Sequence, residues 1–225
     1  MAKRIDRTPR PARVVPPLHP LADPAGLFVD DSRREGISLE ASNMAGGRAT
    51  AVELERFSMR DVNLSESAIE DLSLHNGTLV GCDLANVRFP NCALTRVAMK
   101  DCRLTGAGLA ECRLQDVVFD GCTIDLAFFS FGKFNRVRFE RCGLKGCDFQ
   151  GVEARRSAFV GSDLSDVQLS QGSFDGCLVR DCRFDGVRGL AALKGVEMGW
   201  PDLVELAPAL AGSIGIVVEG DAEES

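Results

Sequence analysis

The sequence predicts an all-β solenoid whose chain turns a corner every five residues, and two columns of side chains predict it. Every fifth residue from Leu54 to Phe184 is apolar, without insertion or deletion, and Ala154 is its one small member. Two places before each lies a second column of mostly small residues, among them Val52, Cys82, Val87, Cys92 and Cys102, in which only Phe57 and Leu72 are bulky. A period of five matches neither the 3.6 of a helix nor the 2.0 of a strand. One large and one small inward residue per five, with Asp83, Asn86, Arg103 and Asp163 among the polar residues between them, describes stacked turns that bury together what one turn cannot.

The segments follow in chain order. Residues 1–26 hold Pro9, Pro11, Pro16, Pro17, Pro20 and Pro24 among Lys3, Arg4, Arg7, Arg10 and Arg13, a composition that predicts a disordered basic tail. The body spans 27–189: Leu27 to Gly36 forms an N-terminal cap, and the beat starts at Leu39 and Met44, weakens at Ala49, then runs on until it fails at Gly189. Residues 190–218 form a C-terminal cap. In it Pro201, Asp202 and Glu205 mark the first turn of a helix carrying Leu203, Leu206 and Leu210. Pro208 is expected to kink or shorten that helix, Gly212 to end it, and Ile214–Val218 to form a short strand. Residues 219–225 are an acidic tail. A solenoid end exposes unpaired strand groups and bare core, so a terminal helix and strand are its natural cover. Trp200 and its apolar neighbours exceed what one narrow end needs, which points to a homodimer through this segment.

Cys82-Asp-Leu-Ala-Asn86, Cys147-Asp-Phe-Gln-Gly151 and Ser162-Asp-Leu-Ser-Asp166 resemble the unit of the pentapeptide repeat family: a small residue, Asp or Asn, Leu or Phe, and two variable positions. The resemblance covers roughly residues 37–189. It implies a right-handed quadrilateral β-helix with four pentapeptides to a 20-residue coil, hence about seven coils here. It also implies that many relatives have no known activity, while a subset mimics DNA and binds DNA gyrase. Phe57, Leu72, Ala154 and Gly189 depart from the pattern.

All nine cysteines fall on the small inward column, where Val, Ala, Gly and Ser also occur, so they are expected to be free, structural thiols. Stacked coils would set Cys82, Cys102, Cys122 and Cys142 about 4.8 Å apart with parallel side chains, whereas a disulfide draws its Cβ atoms to about 3.8 Å. No inward His, Asp or Glu accompanies them as a metal ligand. His19 lies in the Pro-rich segment and His75 on an outward position, neither beside a recognisable catalytic partner. There is no phosphate-cradling glycine loop and no nucleophile elbow. The expectation is a protein without catalytic residues, cofactor or metal. With no apolar run near the roughly 20 residues of a membrane span and no signal-type N-terminus, it is expected in the cytoplasm, off the membrane.

A DNA mimic would need the charge of duplex, about one negative per 1.7 Å. The thirty pentapeptides from Leu39 to Phe184 make about 36 Å of rod, for which duplex would carry on the order of 20 negative charges. Residues 37–189 hold 21 acids and 18 bases, a net of −3. The face bearing Cys82 is the most acidic, with Glu66, Asp83, Asp125, Asp163, Asp166 and Asp185 against three bases. The face centred on Leu114 and Phe134 instead collects Arg56, Arg96, Arg113, Lys133, Arg136, Arg155 and Arg156 against five acids. In Ala127-Phe-Phe-Ser-Phe131, Phe129 points inward while Phe128 and Phe131 point outward. The interaction surface expected from the sequence is therefore Arg96, Arg113, Lys133, Arg136, Arg155 and Arg156 with Phe128 and Phe131. Its partner would be a protein, with DNA gyrase as the alternative that the resemblance supplies, and no direct contact with nucleic acid is expected.

Overall fold

A computed structural model of the chain describes residues 6–12, 17–21 and 24–217. Its backbone takes a positive φ, between 46° and 72°, at every fifth residue from Asp31 to Gly186. Such a conformation costs a non-glycine residue roughly 1–2 kcal/mol. Many corners are held by a hydrogen bond to the next coil, as when the Asp61 N–H donates to Val80 C=O and the Asp101 N–H to Asp120 C=O, both at 2.9 Å. Asp, Asn and Gly, which tolerate this region best, recur at the corners.

Four corners close one coil, because the parallel pairing keeps an offset of twenty residues. Leu54 lies beside Leu74, then Leu94 and Leu114; Met59 lies beside Leu79, then Met99 and Phe119. We number the faces by their inward columns: the first runs from Leu54 to Phe174, the second from Met59 to Val179, the third from Leu64 to Phe184 and the fourth from Ile69 to Leu169. Strands such as Glu53–Arg60, Ala93–Lys100 and Lys133–Glu140 bend round one corner and so make the first two faces. Turns close the other two, with the Ala107 N–H donating to Leu104 C=O at 3.0 Å and the Cys147 N–H to Leu144 C=O at 3.1 Å. The recurrent Asp before the large apolar residue serves these turns: Asp83 Oδ1 accepts from the Ala85 N–H and Asp163 Oδ1 from the Ser165 N–H, both at 2.9 Å.

Both columns point inward along the rod. Phe119 and Phe139 stack with ring centroids 4.8 Å apart, Phe139 and Phe159 5.0 Å apart, and Phe129 meets Phe139 edge-on at 6.0 Å. The exception at Phe57 is accommodated by its neighbour: a Cβ on Gly77, its register partner, would lie 2.0 Å from the Phe57 ring. A large residue in the small column thus takes the space that the adjoining coil gives up.

The solenoid has about nine turns, against the roughly seven expected, because segments outside the sequence repeat extend it. His19–Pro20 pairs with Ile37–Ser38 at one end, and Glu197–Met198 pairs with Leu178–Val179 at the other. The expected disordered N-terminal tail also needs correction over its described residues. Besides that strand, the Arg10 N–H reaches Asp116 at 3.0 Å and Arg7 reaches Gly176 and Glu197. The polar contacts are made largely by main-chain groups and long basic side chains, which a compositional reading of disorder does not register.

The cysteines bring a second correction. Cys92 and Cys112 are disulfide-bonded, with their Cα atoms 4.5 Å apart. That is tighter than regular strand spacing and within the reach of a disulfide. Cys82, Cys102, Cys122, Cys142, Cys147, Cys177 and Cys182 are free and buried. Desolvation pushes the Cys147 thiol up to about 12 and those of Cys177 and Cys182 to about 11, so these three stay protonated and unreactive at neutral pH. Thiol titration in denaturant without reductant should count the seven free thiols, and all nine cysteines after reduction. Nine before reduction would remove the disulfide.

At the C-terminus one helix, α1, spans Trp200–Ser213. Pro208 lies within it and does not end it, and Gly212 is not the stop. The stop is Gly215, whose φ is 81°. There the Gly215 N–H bonds Gly212 C=O at 3.1 Å and the Ile216 N–H bonds Ala211 C=O at 2.9 Å, the paired bonds of a left-handed helix end. Ile214 to Val217 are therefore turn and extended chain, exposed, where a strand was expected; Val218 and the acidic tail lie outside the described residues.

Candidate interaction surfaces

The first face brings four of the expected cations together. Arg113 stacks on Lys133 and Lys133 on Glu153, while Gln115, Asn135 and Arg155 stack in the neighbouring row. With Arg156 at the corner they line an open groove, and Arg113, Lys133, Arg155 and Arg156 are all exposed. Glu153 is the acid among them. The rigid parallel backbone holds these side chains in rows, so their spacing is set by the coil rise rather than by a flexible loop.

Arg96 and Arg136 fall elsewhere. They belong to the corner column between the first and second faces, made of Gly36, Arg56, Asn76, Arg96, Asp116, Arg136, Arg156 and Gly176. Side-chain hydrogen bonds join the coils along it: Arg56 Nη2 donates to Glu35 Oε1 at 2.8 Å, Asn76 Nδ2 to Glu55 Oε1 at 2.6 Å, and Arg136 Nη2 to Asp116 Oδ2 at 2.8 Å. The Asp116 side chain is 1% exposed and that of Arg136 12%. Arg136 is thus occupied with Asp116, whereas the buried Arg96 Nε has no partner among the described residues.

Burial opposes ionisation of Asp116, and the Arg136 guanidinium together with the Arg10 N–H overcomes it, so the carboxyl sits below its ordinary value of 3.8. A depressed acid contributes stability that is fully present above its unfolded pKa and is lost as pH falls through the folded one. The melting-temperature difference between wild type and Asp116→Asn should therefore be constant near neutrality and shrink only below about pH 4. A difference that vanishes already at pH 6 would contradict this.

The fourth face presents the aromatic pair. Phe128 is 52% and Phe131 54% exposed, and Leu126, at 58%, extends the patch. Leu126 and Phe131 occupy consecutive corners, with φ of 60° and 59°. A Cβ on Gly151 would lie 2.5 Å from the Phe131 ring, so that ring rests on a glycine of the next coil. Sequence reasoning overlooked Leu126, although an apolar residue at a corner position two places after Ile124 was the available signal. Among the described residues no group of three or more His, Cys, Asp or Glu side chains converges as metal ligands would, and no helix is long and apolar enough to cross a membrane.

Residues 72–149 match the model described as Pentapeptide repeat region, and residues 142–181 the model Pentapeptide repeats (8 copies). Among solved structures the chain is similar to HetL, a pentapeptide repeat protein involved in heterocyst differentiation regulation from the cyanobacterium Nostoc sp. Strain PCC 7120. Identity is 15%, with 75% of this chain and 87% of that chain covered and a TM-score of 0.49. It is also similar to full-length QnrB1, a plasmid-mediated fluoroquinolone resistance protein, at 17% identity over 82% of this chain and 100% of that one, with a TM-score of 0.29. No curated protein sequence matches the chain significantly.

Proposed function

We propose, from the premise that this chain is a pentapeptide repeat protein, that it is a non-enzymatic interaction solenoid whose first face binds a protein partner. The observation that supports this is the exposed row of Arg113, Lys133, Arg155 and Arg156, held in fixed register on a rigid rod with Glu153 as the acid among them. A surface of that kind attracts acidic protein surfaces and selects among them by spacing. Binding should weaken with salt, because exposed charges are screened over about 8–10 Å at ordinary ionic strength.

Mimicry of DNA toward gyrase is the less favoured reading, since the body carries 21 acids against 18 bases where duplex would present a continuous negative array. A pull-down from the native lysate, with gyrase followed as a named candidate, separates the two. Wild type should retain a partner that Lys133→Glu/Arg155→Glu loses at equal melting temperature. Capture of the same proteins by both would overturn the assignment to the first face, and gyrase held by both would restore the alternative.

A further inference from the structure

The corner between the first and second faces differs from the other corners. Gly36, Asn76 and Asp116 are buried there and Arg56, Arg96, Arg136 and Gly176 half-buried, whereas most other corner residues are exposed. The cover is the N-terminal segment. Arg7 Nε donates to Gly176 C=O at 2.9 Å and its Nη2 meets Glu197 Oε1 at 2.7 Å; the Arg10 N–H donates to Asp116 Oδ1 at 3.0 Å. Further along, Pro17 C=O stands 3.8 Å from the Cβ position of Gly36, and the Leu21 N–H donates to Ser38 C=O at 3.0 Å. The chain thus runs antiparallel to the direction of coil growth. Residues 6–12 lie as a strap along this corner, and residues 17–21 lie at its other end.

The surface under it is basic. Arg56, Arg96, Arg136 and Arg156 outnumber Asp116 along the corner; Arg56 is paired with Glu35 and Arg136 with Asp116, and the exposed Arg113, Lys133 and Arg155 of the first face lie beside them. The strap brings one carboxylate toward Arg136 and Arg156, that of Asp6. Its hold is uneven: among its described residues it pairs as a strand only at His19–Pro20, and over residues 6–12 it is tied by Arg7 and Arg10.

We propose that this corner is a groove for an extended acidic peptide segment of the partner, and that residues 6–12 fill it in cis until displaced. The inference rests on the reading of the first face as the binding face and adds the partner's local chemistry and a gate. The corner accepts an extended main chain, because it already holds one, and its excess of guanidinium groups selects carboxylates. Displacement removes the Asp6 carboxylate from beside Arg136 and Arg156 while the pairing at His19–Pro20 keeps the end coil intact.

Fluorescein-labelled deca-glutamate serves as the probe, with the full-length chain and a variant lacking residues 2–12. The shortened protein should bind at least ten-fold more tightly, and Arg155→Glu/Arg156→Glu in that background should abolish the gain. Equal affinity for the two chains, or no binding by either, overturns the gate and the groove. A ten-nucleotide single-stranded DNA that binds more tightly than deca-glutamate overturns the assignment to a peptide. In the unmodified full-length protein the Arg10 amide should exchange far more slowly than in a free peptide, and exchange at the free rate refutes the strap whatever the variant does. Failure here with the lysate partner still lost from Lys133→Glu/Arg155→Glu would refute the strap and leave the first face standing.

Discussion

Phe139→Asp is expected to abolish cooperative folding. Phe139 is wholly buried and central to the aromatic ladder: it stacks on Phe119 and Phe159 and meets Phe129 and Phe149 edge-on at 6.0 and 6.2 Å. Removing a buried ring alone costs about 3–5 kcal/mol. An unpaired carboxylate in an apolar tube adds several more unless it takes up a proton. Against a total stability of about 5–15 kcal/mol the sum leaves no folded state for a small domain, and a repeat rod broken at one coil exposes two new ends. Phe139→Leu should lower the melting temperature while keeping a sharp transition, which separates the charge from the lost ring. Circular dichroism melts and soluble yield check both variants. A wild-type melting temperature for Phe139→Asp would place that side chain outside the core.

The architecture was legible because one constraint, a corner every five residues, leaves its mark on every coil. Leu54, Met59 and their successors must point inward, and Asp83 or Asp163 must serve the turn that follows. The strap was not legible. Pro9, Pro11, Pro16 and Pro17 among arginines have the composition of a disordered tail, and the Arg10 contact that ties the segment uses a main-chain N–H that any non-proline residue would offer. Asp116 was equally hidden, since Asp at a corner is ordinary and only the neighbouring coil, by supplying Arg136, turns it into an anchor. The expected basic face divided for a related reason. Counting charges by face assigns Arg96 and Arg136 to the same surface as Arg113 and Lys133, but the corner position half-buries them and pairs Arg136 with Asp116. The Cys92–Cys112 bond departs from expectation because uniform coil spacing was assumed where two coils approach more closely.

Truncation after Gly189 is expected to lower thermal stability and to bring aggregation, because the C-terminal segment closes the rod with specific groups. Asp202, 3% exposed, accepts from the Cys182 N–H through Oδ1 at 2.9 Å, and Glu205 Oε1 accepts from the Phe184 N–H at 3.3 Å. These are main-chain donors of the final coil that a further coil would have bonded. Leu206, 1% exposed, covers the apolar end, and Glu197–Met198 pairs the last strand edge. Asp202→Ala alone should cost about 1–3 kcal/mol, the penalty for a buried donor left without an acceptor. The outer side of the cap carries the second half of the argument. Trp200 is 75% exposed, Val204 56%, Ile214 75% and Ile216 55%, more apolar surface than a cap needs to show to water. A second copy of the chain, meeting it through the same segment, would bury it with two-fold symmetry. Light scattering at high micromolar concentration should therefore give a dimer for the full-length protein, and Trp200→Glu/Val204→Glu should give a monomer of unchanged melting temperature, because neither side chain faces the coil. Monomer mass for the full-length protein eliminates the dimer and leaves the cap, whose carboxylate contacts to Cys182 and Phe184 do not depend on a second copy.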